Sequence, residues 1–337
     1  MELNPTIVFT SPKVVEIEER AKPVPKEGQV LIKTSKTLIS TGTELTILGA
    51  DYPPGSVWES YGRLPFDPGY DNVGIVIETG AGVDRNVIGR RVGSWGNHAR
   101  YVACNANELR FADQKITDEE VAFFAIAEIV MNGIRRARLN WGEAVVVYGM
   151  GLLGQFTVQF CRVGGARPIV AVDVSERRLA LLPKTFAVIP VNSGKNDVVV
   201  AVKEATRGRM ADVVFEVTGS AQLIPREFEA LHNQGRFVLL SSPHGKTSFD
   251  FHDLCNRPSH TIIGAHNWSH PAQGTPDYPW TMLRHSELFF DLTAEKALDA
   301  TSLITHRAHY SEAPRLYKML LQDRTNALGV ILDWNEK

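Results

Sequence analysis

The feature that most limits the folds open to this chain is a glycine-rich run with three spaced glycines, Gly149-Met150-Gly151-Leu152-Leu153-Gly154. An apolar run at Ala144 to Tyr148 precedes it and predicts a buried strand, and a helix is predicted after it at about Leu152 to Val163. Between a strand and a helix, the first glycine permits a tight turn and the second lets a pyrophosphate approach the backbone. The third lets the helix pack on the sheet. The run therefore predicts a dinucleotide-binding α/β unit.

An acidic residue stands where such a unit needs one. Asp173 ends the next apolar run, Ile169 to Asp173, 19 positions after Gly154 (173 − 154). Its carboxylate would accept hydrogen bonds from the adenosine ribose and repel a 2′-phosphate, which favours NAD over NADP. Arg177 and Arg178 follow closely and could pair with a 2′-phosphate, so NADP is the alternative. The predicted cofactor contacts are Gly149, Gly151, Leu152, Leu153, Gly154, Asp173, Arg178 and Thr218.

The rest of the chain falls into two parts with different sequence patterns. The part before residue 140 is rich in short alternating strand patterns, with an irregular proline-rich segment at 51–67 and a helix at Thr117 to Asn132 that Thr117 caps. Later strands alternate with helical spacers, which predicts a doubly wound parallel sheet. Near the end we predict a helix and a strand. The later strands are predicted at Asp212 to Val217, Arg236 to Leu240 and Thr261 to Gly264. The final helix is predicted at Ser311 to Gln322 and the final strand at Gly329 to Asp333.

Composition excludes several classes of protein. The 337 residues are 44% hydrophobic and 22% charged with a net charge of −2, which is typical of a soluble globular protein and not of a nucleic-acid-binding one. No apolar stretch approaches membrane-spanning length and no signal peptide is visible. Cys104, Cys161 and Cys255 are too few and too widely spaced for a disulfide framework. We expect a cytoplasmic protein with a small-molecule substrate and no nucleic-acid or membrane partner.

Nearly the whole chain resembles the medium-chain dehydrogenase/reductase superfamily, which includes the zinc alcohol and polyol dehydrogenases. The stretches that carry the resemblance are Leu38 to Leu45, Gly69 to Gly74, Ala127 to Ile129, the glycine run, Glu216 to Gly219 and Leu303 to Arg307. The resemblance implies a GroES-like β-rich catalytic domain at 1–140 and a Rossmann domain at 141–275. It also implies that the segment 276–337 returns to the catalytic domain.

The chain departs from that family at the metal positions. By resemblance, the family's cysteine and histidine zinc ligands are replaced by Thr41 and Tyr70, while Asp71 and Glu128 keep carboxylates. Two carboxylates without imidazole or thiolate would hold zinc weakly. The lobe that binds a structural zinc is also missing. The chain thus resembles a zinc-free branch of the superfamily, and we expect no metal.

Without zinc, a side chain must take up the proton of an alcohol substrate. The resemblance places Tyr70, Asp71, Thr43 and Glu128 around the vacated metal position as catalytic candidates. Tyr70 could also merely fill that space, and Glu128 could be a buried structural acid.

Substrate contacts are expected from Thr41, Trp58, Trp95, His266 and Asn267. Ordinary loop packing is the alternative for the aromatic and histidine residues. His266, His270 and His285 fit no metal-ligand spacing.

These observations favour a zinc-independent, NAD-dependent dehydrogenase that acts on a secondary alcohol of a polyol, sugar or cyclitol. One alternative is an NADPH-dependent double-bond reductase of the quinone or enoyl type, against which Asp173 argues. Another is a dinucleotide-binding protein without catalysis. The superfamily commonly forms homodimers through the edge of the Rossmann sheet, and we expect the same here.

Overall fold

The computed structural model describes residues 2–184 and 187–336. The chain divides into two compact units, Met1–Ala125 with Ser286–Lys337 and Ile126–His285. The sequence pattern predicts divisions at 140/141 and 275/276, whereas these divisions fall inside two helices, Phe124–Arg136 and Met282–Ala294. A continuous helix carries no change of composition at such a point, so the pattern had no signal there.

The first unit is built mainly on antiparallel strand pairs, with one parallel pair near the end of the chain. Numbered along the whole chain, its strands are β1 (Leu3–Ser11), β2 (Val14–Ala21), β3 (Gln29–Leu38), β4 (Asn72–Thr79), β5 (Arg91–Ser94), β6 (Tyr101–Asn105), β7 (Arg110–Phe111), β14 (Ile304–His309) and β15 (Gly329–Asp333). In the described residues, β1 pairs with β2, and a seven-stranded sheet runs β14-β15-β3-β4-β5-β7 with β6 also on β3.

The second unit is a parallel sheet. Its strands are β8 (Val145–Tyr148), β9 (Ile169–Asp173), β10 (Ile189–Asn192), β11 (Ala211–Glu216), β12 (Leu231–Leu239) and β13 (Thr261–Gly264). Over the described residues their order is β10-β9-β8-β11-β12-β13. The chain moves outward from β8 to β10 and then resumes at β11 on the other side of β8, which makes the edge between β8 and β11 a topological switch point. The predicted doubly wound α/β fold is confirmed.

Helices and turns connect these strands. The α-helices are α1 (Thr43–Gly49), α2 (Val57–Tyr61), α3 (Asp118–Val121), α4 (Phe124–Arg136), α5 (Leu152–Val163), α6 (Glu176–Ala180), α7 (Val198–Ala205), α8 (Ile224–Glu227), α9 (Met282–Ala294) and α10 (Ala313–Gln322). Short 3₁₀ turns lie at Arg85–Val87, Ala106–Glu108, Phe228–Ala230, Asn267–Ser269, Thr301–Leu303 and Tyr310–Glu312, with one π turn at His252–Asn256.

Strand β12 begins at Leu231, before the predicted start at Arg236, and two other predicted elements differ in more than their bounds. The predicted helix Thr117 to Asn132 is two helices, α3 and α4, although Thr117 does cap the first with a capping box to Glu120. The break falls at Ala122 and Phe123, which are fully buried, so no polar residue marks it. The segment 51–67, predicted to be irregular, contains the short helix α2.

The end of the chain completes the first unit. Strand β15 lies between β14 and β3, with Ile331 opposite Leu38. The core of the unit joins residues from both parts of the chain, because Phe9 meets Tyr317 edge to face at a centroid distance of 5.1 Å. Burial of these apolar side chains is the main favourable contribution to the stability of such a core.

Among the residues that the structure describes, no helix has the length and apolar character needed to cross a membrane.

Candidate active site

The glycine turn lies at the switch point of the second unit. Gly149 follows β8 with a φ of +97°, and a Cβ there would lie 2.9 Å from the carbonyl oxygen of Val217, which follows β11. A Cβ on Gly154 would overlap the carbonyl oxygen of Gly149. In contrast, a Cβ on Gly151 would meet no atom within 4 Å. The first and third glycines are thus required by the protein itself, while Gly151 leaves open space for a ligand.

The amino end of α5 borders that space. Gly151 is the N-cap residue and provides no side-chain cap, and the intrahelical bonds begin with the N–H of Gln155 to the carbonyl of Gly151. The preceding N–H groups, including those of Leu152 and Leu153, have no intrahelical acceptor. Such a helix end attracts anions through these N–H groups and the helix dipole. The turn therefore fits the pyrophosphate of a dinucleotide.

Asp173 ends β9 beside this turn and is 8% exposed. One carboxylate oxygen accepts the N–H of Met150 and the other accepts that of Ser175, both at 2.7 Å. Because a carboxylate offers about four lone-pair sites, both oxygens can accept further hydrogen bonds. The Nη1 atom of Arg178 is 3.9 Å from Oδ2 of Asp173. Asp173 and Arg178, two of the three residues that bear on cofactor choice, therefore lie side by side.

A buried acid that the sequence interpretation did not single out shapes the other side of the switch point. Glu216, the last residue of β11, accepts the N–H (2.7 Å) and the hydroxyl (2.6 Å) of Thr218 and the N–H of Gly219 (2.9 Å). The hydroxyl of Ser241 bonds its other oxygen. The N–H and the hydroxyl hydrogen of Thr218 are thus both committed to Glu216, so Thr218 has no hydrogen-bond donor left for a ligand.

In the first unit, Tyr70 belongs to a cluster of hydroxyl groups. Its hydroxyl lies 2.5 Å from that of Ser40 and is also hydrogen-bonded by Thr43. Its ring stacks on Trp95, with centroids 5.5 Å apart. The structure therefore brings together three predicted residues and adds Ser40, which sequence reasoning missed although it begins the Ser40-Thr41-Gly42-Thr43-Glu44 stretch.

The surroundings of Tyr70 keep its hydroxyl protonated. Burial raises the pKa of this phenol well above its usual range, and the charge of Asp71 raises it further. Asp71 itself is 1% exposed. At neutral pH Tyr70 is therefore a hydrogen-bond donor.

The donor set at the family's metal positions does not fit a catalytic zinc. Thiolate, imidazole and carboxylate are the usual zinc ligands. Here Tyr70 is a protonated phenol bonded to other hydroxyls, and Thr41 offers only a hydroxyl beside its carbonyl, which accepts Nη1 of Arg324 at 3.0 Å. Over residues 2–184 and 187–336, no group of three His, Cys, Asp or Glu side chains is placed to hold a metal ion.

Two further candidates lie on helices. Glu128 is fully buried on α4 within the second unit. Trp58 on α2 packs against the core of the first unit and meets Tyr61 at a centroid distance of 6.0 Å.

The loop after β13 holds the histidines and is anchored by α4. The side-chain amide of Asn132 donates to the carbonyl of His266 (3.1 Å) and to the hydroxyl of Ser269 (2.9 Å). His266 is exposed and its ring accepts the N–H of Trp268, while Asn267 is half-buried. Because this loop follows the carboxyl end of a parallel strand, it lies on the edge where such sheets bind ligands.

His270 and His285 form a hydrogen-bond chain and not a metal site. Arg135 Nε donates to His285 Nε2 (3.1 Å), His285 Nδ1 meets His270 Nε2 (2.8 Å), and His270 Nδ1 meets the carbonyl of Asn267 (2.7 Å). Burial, followed by the charges of His270, Arg135 and Arg284, lowers the pKa of His285 to about 3. His285 is therefore neutral at neutral pH. Since arginine can only donate and a carbonyl only accept, each ring carries its proton on Nδ1.

Comparisons with known proteins agree with this architecture. The zinc-binding dehydrogenase family matches residues 153–283. The D-guloside 3-dehydrogenase of Escherichia coli K12 is 26% identical over 336 residues, covering 92% of this chain and 94% of that protein. An alcohol dehydrogenase from Escherichia coli CFT073, solved with NADH, superposes with a TM-score of 0.83 at 15% identity, covering 99% of this chain and 100% of that one.

A dehydrogenase from Sinorhizobium meliloti 1021, described as zinc-binding and solved with NADP, has a TM-score of 0.83 at 18% identity over 99% of this chain and 100% of that one. The fold, the glycine turn and these relatives lead to one conclusion. The chain resembles the medium-chain dehydrogenase/reductase superfamily in sequence and fold and is an alcohol/polyol dehydrogenase-like oxidoreductase.

Proposed function

We propose that the protein is a zinc-independent, NAD-dependent oxidoreductase that transfers hydride between a secondary alcohol of a polyol, sugar or cyclitol and the nicotinamide. The observation that carries the proposal is the hydroxyl cluster of Ser40, Thr43 and Tyr70, in which Tyr70 stands where the family resemblance expects a zinc-binding histidine. The name of the relative D-guloside 3-dehydrogenase supports a sugar-like substrate.

In the proposed reaction the hydroxyl cluster replaces the metal. A nicotinamide bound beside the glycine turn would supply the acceptor for the hydride of the alcohol carbon. Tyr70 donates a hydrogen bond to the substrate oxygen, because its raised pKa keeps the phenol protonated. In ketone reduction the phenol passes its proton to that oxygen and regains one through the hydroxyls of Ser40 and Thr43. In oxidation the protons move the opposite way. Asp71 and Glu128 are the alternative proton acceptors.

We propose NAD as the cofactor because of Asp173. Its carboxylate is held in place by the turn that fits the pyrophosphate, and it would repel a 2′-phosphate. Arg178 lies close enough to compensate part of that repulsion, so NADP is the competing cofactor.

The proposed substrate contacts are supported unequally. Trp95 is the best supported, because its ring stacks on Tyr70. His266 and Asn267 stay in the proposal because their loop follows the carboxyl end of β13. Thr41 stays in the proposal because it is adjacent in sequence to Ser40 of the hydroxyl cluster. Trp58 is better explained by packing against the first unit's core.

We also propose that the protein is a cytoplasmic homodimer. Strand β13 is at the edge of the parallel sheet and Ile262 in it is 41% exposed, which suits pairing with a second copy. Cys104, Cys161 and Cys255 are free thiols, as a reducing compartment leaves them. A solution molar mass equal to one chain of 37.3 kDa would refute the dimer.

The experiment is a nicotinamide-coupled screen of polyols, sugars, cyclitols and their ketones, followed by Tyr70→Phe on the best substrate. Loss of the hydroxyl should lower kcat by about 10²–10⁴-fold, as for general acid–base groups, with the Kd for NAD unchanged. Tyr278→Phe, at a tyrosine that is 56% exposed, is the matched control. Full turnover in Tyr70→Phe would transfer the role to Asp71 or Glu128, and no turnover by the unmodified protein on any compound would contradict the proposal.

A further inference from the structure

We propose that Glu44 is a positioning residue that holds the Ser40–Tyr70 hydroxyl pair in its reactive arrangement. The inference rests on the proposed function and names a residue that acts through Tyr70. Glu44 is the second residue of α1 and is 1% exposed. A carboxylate so deeply buried is stable only when hydrogen-bond donors surround it. Its donors come from separate segments of the first unit.

The first segment carries Ser40. Glu44 Oε1 accepts the N–H of Ser40 at 3.0 Å, and the N–H of Glu44 donates to the carbonyl of Ser40 at 3.1 Å. Ser40 is thus held at both of its backbone groups by one residue. Its hydroxyl, at 2.5 Å from that of Tyr70, takes its position from this double attachment.

The second segment carries His98, which leads to the loop before Tyr70. His98 is fully buried and its Nε2 lies 3.2 Å from Glu44 Oε2. The N–H of His98 donates to the carbonyl of Pro68 at 2.8 Å. A Cβ on Gly69 would lie 2.7 Å from the nitrogen of His98, so this loop is pressed directly against the His98 backbone. Glu44 therefore restrains both partners of the hydroxyl pair.

The third segment is α10. The hydroxyl of Tyr317 donates to Glu44 Oε2, and the ring of Tyr317 is fully buried against Phe9. Burial and the charge of Glu44 raise the pKa of Tyr317 well above its usual range, so the donor keeps its proton. This contact fixes the side of the carboxylate that faces away from Ser40.

Two substitutions separate the length of Glu44 from its charge. Glu44→Asp keeps the charge and withdraws the carboxylate by about one bond length, 1.5 Å, and a misplacement of about 1 Å can cost about 10²-fold in rate. We expect kcat to fall about 10–100-fold in Glu44→Asp, with the Kd for NAD unchanged. Glu44→Gln keeps the length of the side chain, and its kcat should fall less than that of Glu44→Asp. Glu59→Asp, at an exposed glutamate that bonds the N–H of Gly55, is the matched control.

A double-mutant cycle with Tyr70→Phe tests whether Glu44 acts through Tyr70. Once the phenol hydroxyl is gone, Glu44→Asp should lower kcat by less than about threefold further, because there is no hydroxyl left to misplace. A merely structural role predicts that the two losses multiply, and that outcome would overturn the proposal. So would full turnover in Glu44→Asp.

Two further measurements keep the test decisive. If Glu44→Asp does not fold, Tyr317→Phe removes one donor from Glu44 and should lower kcat about 2–10-fold, again without effect in the Tyr70→Phe background. If the unmodified protein turns over no alcohol, the proposed function fails, and the positioning of Tyr70 is decided by a crystal structure of Glu44→Asp. Separation of the Ser40 and Tyr70 hydroxyls beyond 3.5 Å would support the inference, and an unchanged 2.5 Å would refute it.

Discussion

Replacing the buried Glu227 by glutamine is expected to stabilise the second unit increasingly as the pH rises. Glu227 ends α8 and is 1% exposed, and within the described chain neither carboxyl oxygen has a hydrogen-bond partner. Burial, and then the charge of Glu216, raise the pKa of Glu227 to about 9 from an ordinary value of 4.5. At neutral pH the Glu227 carboxyl is therefore protonated in the folded protein and deprotonated in the unfolded chain.

The sign and size of the effect follow from this difference. A raised folded-state pKa contributes stability that is complete below about pH 4.5 and is lost as the pH rises towards 9. Each pKa unit corresponds to about 1.4 kcal/mol. At pH 7, about 2.5 units above the unfolded value, the native protein has lost about 3 kcal/mol of unfolding free energy. Glutamine does not titrate, so the variant keeps that contribution.

The assay is urea unfolding of both proteins at pH 5, 6, 7 and 8. The buried amide adds a constant offset of about 1–3 kcal/mol, so the slope is the measured quantity. The difference in unfolding free energy between variant and native protein should grow by about 1.4 kcal/mol per pH unit. Glu229→Gln, at an exposed glutamate two residues away, should show no such slope. Equal pH dependence of the native protein and Glu227→Gln would refute the reasoning.

Two other predictions concern the cofactor and the metal. Asp173→Ala should reduce the ratio of NADP Kd to NAD Kd, measured by titration, because the group that repels the 2′-phosphate is removed; comparable binding of both cofactors by the unmodified protein would show that Arg178 governs the choice. Purified protein should contain far less than one zinc per chain by elemental analysis, and EDTA should leave kcat unchanged. Stoichiometric zinc that is lost on replacing Asp71 would overturn the metal-free proposal.

The parts of the fold that sequence could predict are those with a local signal. The helix Leu152–Val163 and the strands Ile169–Asp173 and Thr261–Gly264 have the predicted bounds, because glycines or charged residues interrupt an apolar run at their ends. The break between α3 and α4 has no such mark, since Ala122 and Phe123 look like continuous helix core. The position of that break is set by tertiary packing, which a local stretch of sequence does not reveal.

The candidate site divides in the same way. The glycine turn and Asp173 lie within one strand-turn-helix-strand stretch and were predicted together. The hydrogen bonds of Glu44 join residues 4, 54 and 273 positions away, Ser40, His98 and Tyr317. No spacing rule connects Glu44 with His98 or Tyr317, so the sequence alone assigns Glu44 no role.

The division of the chain also bears on the order of folding during synthesis. The second unit is one continuous stretch, Ile126–His285, and can fold once that stretch has left the ribosome. The first unit cannot, because β15 must insert between β14 and β3 and Trp334 must fill its core. Until those residues emerge, residues 36–38 at the end of β3 lack the strand that pairs with them in the folded protein. We therefore expect the first unit to complete its fold later than the second during synthesis.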